Sequence, residues 1–218
     1  MKQILCFGDS NTYGLIPGTK DRYDWDTRWS GRIGQRLWED GCHIVEEGLC
    51  GRTTVFDDPL RDGRRGTELL SVILETHKPV DVVVLMLGTN DCKTVYDASA
   101  EVIGRGVERL LDQIRSSAPD SKVLLMSPIA LGEGVGEEGY DPEFDERSVA
   151  VSKRLPDVYR RIAHERGISF LAASAYAKPS EEDREHMNEE GHAALAEAVY
   201  AKLKEMLAGE KENAQIPA

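Results

Sequence analysis

"QILCFGDSNTYG", residues 3–14, begins as a short apolar run and breaks at Gly8 into an acid, a hydroxyl and an amide. Such a run bounded by glycine reads as a buried strand, and the polar residues after it read as the start of a helix. Ser10 therefore has two roles open to it. It is either a nucleophile presented at the carboxyl end of a strand or the N-cap of the next helix, a position that serine fills well. Asp9 suits a hydrogen-bonding, structural role in the same turn.

Working outward, four more runs resemble the first: "HIVEE" at 43–47, "DVVVLML" at 81–87, "KVLLMS" at 122–127 and "ISFLA" at 168–172. The third and fourth of the five runs lack polar alternation, as parallel strands covered on both faces do. Stretches of helical period lie between them: Trp29, Ile33 and Leu37; "LLSVIL" at 69–74 before Pro79; the stripe Val102, Ile103, Val107, Leu110, Leu111, Ile114; and Leu195, Val199, Leu203, Met206, Leu207. Val151, Leu155, Val158 and Ile162 fit a further helix, which Pro156 should start or kink. Strand and helix alternate throughout, which predicts an α/β fold of three layers with a five-stranded parallel sheet in the flavodoxin-like order 2-1-3-4-5.

The chain has 218 residues, which suits one domain. We place that domain at 1–208 and read 209–218 as a frayed polar tail. The loop "LGEGVGEEGYDPEFDE", 131–146, is long for a compact domain and reads as a lid, a binding loop, an oligomer contact or a disordered acidic excursion. A homo-oligomer is compatible with it. With 27 Lys and Arg against 39 Asp and Glu, the net charge is -12, which argues against nucleic acid or an anionic membrane surface as partner. The arginines of "RDGRRG", 61–66, read as a local solvated turn. Cys6, Cys42, Cys50 and Cys92 show no CxxC pair and no zinc spacing, so free thiols and no metal are expected. The start lacks the apolar core of a signal peptide, and no segment reaches a membrane span. A cytoplasmic protein without membrane partners is the expectation.

In an open parallel sheet ligands bind beyond the carboxyl ends of the strands, where connections leave in opposite directions. For this order the point lies beside the first strand, flanked by the second and third. Ser10 follows the first strand, Gly51 in "GLCGRTT" the second, and Asn90 in "LGTND" the third. The backbone N–H groups of Ser10 and Gly51 and the side-chain amide of Asn90 would form an oxyanion hole for acyl transfer. A base is then needed. His43 lies at the wrong end of the sheet, and His77 and His164 lie at helix ends. "DREHMNEEGH", 183–192, follows the fifth strand on the correct side; Asp183 can accept from Nδ1 of His186 and leave Nε2 for Ser10. His192 falls inside the last helix, behind the Asn188 and Glu190 helix start, and reads as a cap or packing residue. Asn11, Tyr13 and Trp25 are candidates for the substrate pocket; Trp29 heads a helical stripe and reads as core.

Together "GDSN", "GRTT" with Gly51, "GTND" and "DREHMNEEGH" resemble, in order from residue 8 to 192, the four blocks of the SGNH hydrolases, also called the GDSL esterase/lipase family. "EEGLCGRTT", "DDP" and "VVLMLGTNDCK" are similar to its bacterial arylesterase/acyltransferase branch. The resemblance implies Ser10 as nucleophile, His186 as base and then acid, Asp183 as its orienting partner, Ser10, Gly51 and Asn90 as oxyanion hole, and no cofactor. The sequence departs from the family at Asn11, where the family name has leucine, and at Arg184, where glycine is common; Arg184 should tighten the turn or bring positive charge near the histidine. The expected activity is hydrolysis of small carboxylic esters through an acyl-enzyme, with transfer to an alcohol as an extension. Rivals are deacetylation of an O-acetylated carbohydrate, a lysophospholipase or thioesterase, and, outside enzymes, a small-ligand binding module on a flavodoxin-like sheet.

Overall fold

The computed structural model of the chain describes residues 1–213, with side chains to residue 208. Five parallel strands, β1 (Lys2–Gly8), β2 (Cys42–Gly48), β3 (Val82–Met86), β4 (Lys122–Ser127) and β5 (Ser169–Ala172), form one sheet in the order β2-β1-β3-β4-β5. Each lies on the apolar run assigned to it, and the register sets Gly8 opposite Gly48 on one side and Met86 on the other. The first three strands thus end level with one another.

Alternation along the strands sends their side chains to two faces. Leu5, Phe7, Val83, Leu85 and Leu125 pack under α3 (Gly66–Thr76), α4 (Ala100–Ser117) and α5 (Glu146–Arg166). Ile4, Cys6, Val84, Met86 and Leu124 pack on the opposite face with Trp29, Ile33, Leu195 and Leu203 of α2 (Trp29–Trp38) and α6 (Glu189–Asn213). Each fully buried side chain of this size contributes ~1.5–3 kcal/mol. Two covered faces are therefore the reason β3 is apolar at every position and β4 through its middle, Val123 to Met126.

Between β1 and α2 stands α1 (Ser10–Tyr13), a single turn. Asp9 caps it by accepting from the Asn11 N–H at 3.0 Å, and Gly14 closes it in the left-handed region. The chain then wanders through residues 15–28 before the longer helix begins.

Three expectations change. The helix with Pro156 begins upstream, at Glu146, because Asp145 accepts from the Ser148 N–H at 2.8 Å while Ser148 Oγ accepts from the Asp145 N–H at 3.2 Å. That reciprocal cap secures the first turn, and Pro156 sits inside at the loss of one backbone hydrogen bond. The stretch from 131 is a packed loop up to Asp145, with Leu131, Val135 and Phe144 buried in the core. Lastly, α6 runs on through Asn213, past Gly209 where a frayed tail was expected; the remainder of that tail, 214–218, lies outside the described residues. Among the described residues no helix is long and apolar enough to cross a membrane, and the four cysteines are free thiols.

Candidate active site

Because β1, β2 and β3 end together, the three loops that follow them meet, and buried polar groups tie them. The Arg52 guanidinium donates to the Gly8 C=O at 2.9 Å and to the Glu47 C=O, while the Asn90 amide donates to the Arg52 C=O at 3.1 Å. Ser10, Gly51 and Asn90 are thereby brought to one place. One N–H of the Asn90 amide is used in this tie; its second remains for another acceptor. Gly51 has φ of +82°, the left-handed region that favours glycine; a Cβ there would meet only the mobile end of Arg61, so the backbone is what calls for glycine. Arg64 donates to the Cys50 C=O at 2.9 Å. The "RDGRRG" segment is thus tied to the Gly51 loop through Arg64, while Arg61, Asp62 and Gly63 form the exposed turn expected of it.

The segment between β5 and α6 supplies the other half. Ser10 Oγ lies 2.8 Å from His186 Nε2, and His186 Nδ1 lies 2.8 Å from Asp183 Oδ2. Asp183 Oδ1 accepts from the backbone N–H groups of Glu185 and His186 at 3.0 and 2.9 Å, and Oδ2 also accepts from the Gly18 N–H at 3.0 Å. One carboxylate therefore shapes the turn and orients the imidazole. The relay is buried: Ser10 is 3 % and His186 6 % exposed.

Charge follows from this arrangement. Burial disfavours the imidazolium of His186, but the Glu185 and Asp183 carboxylates, aided by Asp9, outweigh it and raise its pKa to about 9. Burial also acts on Asp183, yet its bonds to His186 hold it below the ordinary carboxylate value. Burial pushes Glu185 up to about 7 and Asp9 up to about 6.

The pocket candidates separate. Asn11 is not a pocket residue. Its Oδ1 accepts from the Met187 N–H at 3.0 Å and its Nδ2 donates to the Glu185 C=O at 3.3 Å, so its amide grips the chain on both sides of His186. Trp29, fully buried, donates from its indole to the Asn11 C=O at 3.2 Å. A leucine at position 11 could make neither side-chain bond, which gives "GDSN" a physical reason. Trp25 does not join the site either; its ring lies against Gly34 and Ile44, in a groove shared with Trp38 and His43. Ile44 pairs with Ile4, four residues before the Gly8 level, about 13 Å upstream along the strands. Tyr13 is engaged by the Arg22 guanidinium, 4.3 Å from its ring centroid.

Arg184 also differs from expectation. Its φ of +60° is the left-handed conformation that glycine adopts freely, but its side chain leads away from the histidine. The guanidinium donates to the Gly134 C=O at 3.0 Å, pairs with Glu137 at 2.9 Å and covers the Tyr140 ring at 3.9 Å, while the Arg184 C=O accepts from the Gly132 N–H at 2.7 Å. The acidic loop is thus docked on the histidine turn. His192, read as a cap or packing residue, is fully buried, and its Nδ1 accepts from the Trp29 N–H at 3.3 Å at the start of α2, across from its own helix. Burial, with Arg32 and Arg28 nearby, lowers its pKa to about 4.

Three residues of the site escaped the sequence reading, Arg52, Gly18 and Glu185, and so did the bracing role of Asn11. Arg52 stands directly after Gly51, and its place in "CGRTT" was the available signal. Gly18 reaches Asp183 only through tertiary folding. Among the described residues no cluster of three or more His, Cys, Asp or Glu side chains is arranged to hold a metal ion.

Comparison with known proteins shows the family and the fold. Residues 6–194 match the model of the GDSL-like lipase/acylhydrolase family. Est24, a carbohydrate acetylesterase from Sinorhizobium meliloti, is 32 % identical, with 94 % of this chain and 100 % of that chain covered at a TM-score of 0.87. The inhibitor-bound aryl esterase of M. smegmatis is 31 % identical, with 94 % and 99 % covered at a TM-score of 0.87. A second S. meliloti structure, described as a carbohydrate acetylesterase family member, is 32 % identical with a TM-score of 0.88 over 95 % and 100 % of the two chains. None of the curated proteins matches the chain.

Proposed function

The chain belongs to the GDSL-like lipase/acylhydrolase family and is a carboxylic ester hydrolase, and from that premise we propose that it is a serine esterase for small esters, with Ser10, His186 and Asp183 as its triad. The observation that carries the proposal is the unbroken relay from Ser10 Oγ to His186 Nε2 and from His186 Nδ1 to Asp183, both links at 2.8 Å.

Ser10 Oγ attacks the ester carbonyl carbon as its proton passes to His186 Nε2. The carbonyl π electrons move to oxygen, and the N–H groups of Ser10 and Gly51 and the Asn90 amide receive that oxyanion; one such donor is worth ~3 kcal/mol. Asp183 keeps the proton on Nδ1 beforehand and stabilises the imidazolium afterwards. The tetrahedral intermediate collapses, the C–O bond to the alcohol breaks, and Nε2 returns its proton to the leaving oxygen. Water then attacks the acyl-enzyme by the same steps; an alcohol in its place gives transfer.

A Ser10→Ala protein is expected to lose at least ~10³-fold in kcat/KM for p-nitrophenyl acetate, and wild-type turnover by that variant would overturn the proposal. A series of p-nitrophenyl esters of rising chain length, with and without an alcohol acceptor, fixes acyl length and the balance of transfer. The carbohydrate acetylesterases among the structural neighbours favour sugar acetates as a second reading of the alcohol side.

A further inference from the structure

Glu185 lies beside the proposed nucleophile and base, yet no step above uses it. It is 7 % exposed, and its side-chain Oε1 stands 3.6 Å from His186 Nε2, on the same nitrogen that faces Ser10. Its backbone is fixed on both sides, the N–H on Asp183 Oδ1 at 3.0 Å and the C=O on the Asn11 amide at 3.3 Å, so the side chain has a defined direction. Among the described residues the carboxyl oxygens accept no hydrogen bond; their contact is the 3.6 Å approach to His186. The side chain keeps 9 % of its surface, and a substrate that closes over it takes away its water at a cost of ~1–3 kcal/mol or more unless the ligand itself supplies a donor.

We infer that Glu185 is a specificity-determining residue on the alcohol side of the site, hydrogen-bonded by a hydroxyl on the carbon next to the ester oxygen of the substrate. This rests on the triad reading above. The leaving oxygen must come within ~3 Å of Nε2 to be protonated there. An oxygen on the adjacent carbon then falls in the space beside Nε2 that the Glu185 carboxyl borders. A vicinal hydroxyl would satisfy the carboxyl, whereas an aryl or alkyl group would cover it with apolar surface and leave it unpaired. Sites that hold a buried polar group for a substrate hydroxyl reject the analogue without it strongly, for this reason.

Charge recognition by the same carboxyl is the competing use, since Asp141, Asp183 and Asp9 add to the negative field there. A permanent cation, however, would lie next to Nε2 at the moment it becomes imidazolium, and like charges would oppose the transition state. A hydroxyl carries no such penalty. The same contact would favour diols over simple alcohols as acyl acceptors.

The test uses trans-2-hydroxycyclohexyl acetate and cyclohexyl acetate, which differ by one hydroxyl. The wild-type protein is expected to prefer the hydroxylated ester by at least ~10-fold in kcat/KM. Glu185→Leu should bring the ratio close to one, and Glu185→Gln should keep part of it because an amide still hydrogen-bonds. Labelling of Ser10 by an organophosphonate reports that each variant is folded. A wild-type ratio near one overturns the inference without any variant, as does an unchanged ratio in Glu185→Leu. A wild-type preference for acetylcholine over 3,3-dimethylbutyl acetate, its neutral isostere, that exceeds the hydroxyl preference assigns Glu185 to charge and also overturns it. If Ser10→Ala hydrolyses both cyclohexyl esters, the triad reading itself has failed, which is a different result.

Discussion

His186 and His192 stand six positions apart in one segment, both buried, and the fold drives them in opposite directions: the pKa of His186 is raised to about 9 and that of His192 lowered to about 4. Burial opposes the charged form of each. The difference lies in the company. His186 faces Glu185, Asp183 and Asp9, so charging it neutralises a cluster of acids. His192 faces Arg32 and Arg28 and has an aromatic edge, Tyr23, at 5.3 Å; charging it adds to positive neighbours. What packs round a buried histidine thus decides whether it is easily charged or held as a neutral acceptor.

The largest expected effect separates the two by substitution. His186→Ala should lower kcat/KM for p-nitrophenyl acetate by ~10³-fold or more, while His192→Ala should change it by less than about tenfold and reduce stability, by ~1–3 kcal/mol, through the Trp29 N–H left unpaired. Equal losses of activity with intact folding would dissolve the distinction. Urea unfolding run beside the kinetics separates the two effects.

Asn11→Leu comes next. It removes both bonds that grip the chain around His186, and a base displaced by a fraction of an ångström costs rate rather than binding. We expect kcat to fall ~10–100-fold with KM changed far less. A variant with wild-type kcat would show that Asp183 alone positions the imidazole.

Glu185→Gln acts on the charge difference itself. In the proposed mechanism the base is neutral His186, and an ionised Glu185 favours the protonated form; taking that charge away lowers the histidine pKa. The acid limb of the kcat/KM–pH profile for an aryl acetate, expected near pH 9, should move down by about one unit. An upward shift or none would contradict the electrostatic account.

The smallest effect is on stability against pH. The raised pKa of His186 gives stability that is complete below the unfolded value near 6.5 and lost as pH rises through about 9. The depressed pKa of His192 works the other way: stability present above 6.5 is lost as pH falls toward about 4. His192→Asn should therefore make Tm at pH 5.5 higher relative to Tm at pH 7 than it is in the wild type, because it removes a term of ~1 kcal/mol that is lost across that interval. An unaltered slope would remove His192 from the cause.

The sequence by itself determined the sheet. Runs such as "DVVVLML" have no polar face, so they can be satisfied only between two helical layers, and the order 2-1-3-4-5 preferred for five such strands is the one the fold adopts. It also determined which strand ends carry Ser10, Gly51 and Asn90, because residue types suited to one reaction stood at three level strand ends. The helix start at Glu146 was legible in principle, in "DERS", but proline masked it. What only the tertiary structure decided are the partners that cross long stretches of chain. Asn11 meets Glu185 and Met187, Gly18 meets Asp183, and the Arg184 side chain turns from the histidine to Glu137 and Tyr140. Nothing local marks such pairs: hydrogen bonding and pKa depend on distances set by packing, and no periodicity in the chain encodes which buried amide will face which turn.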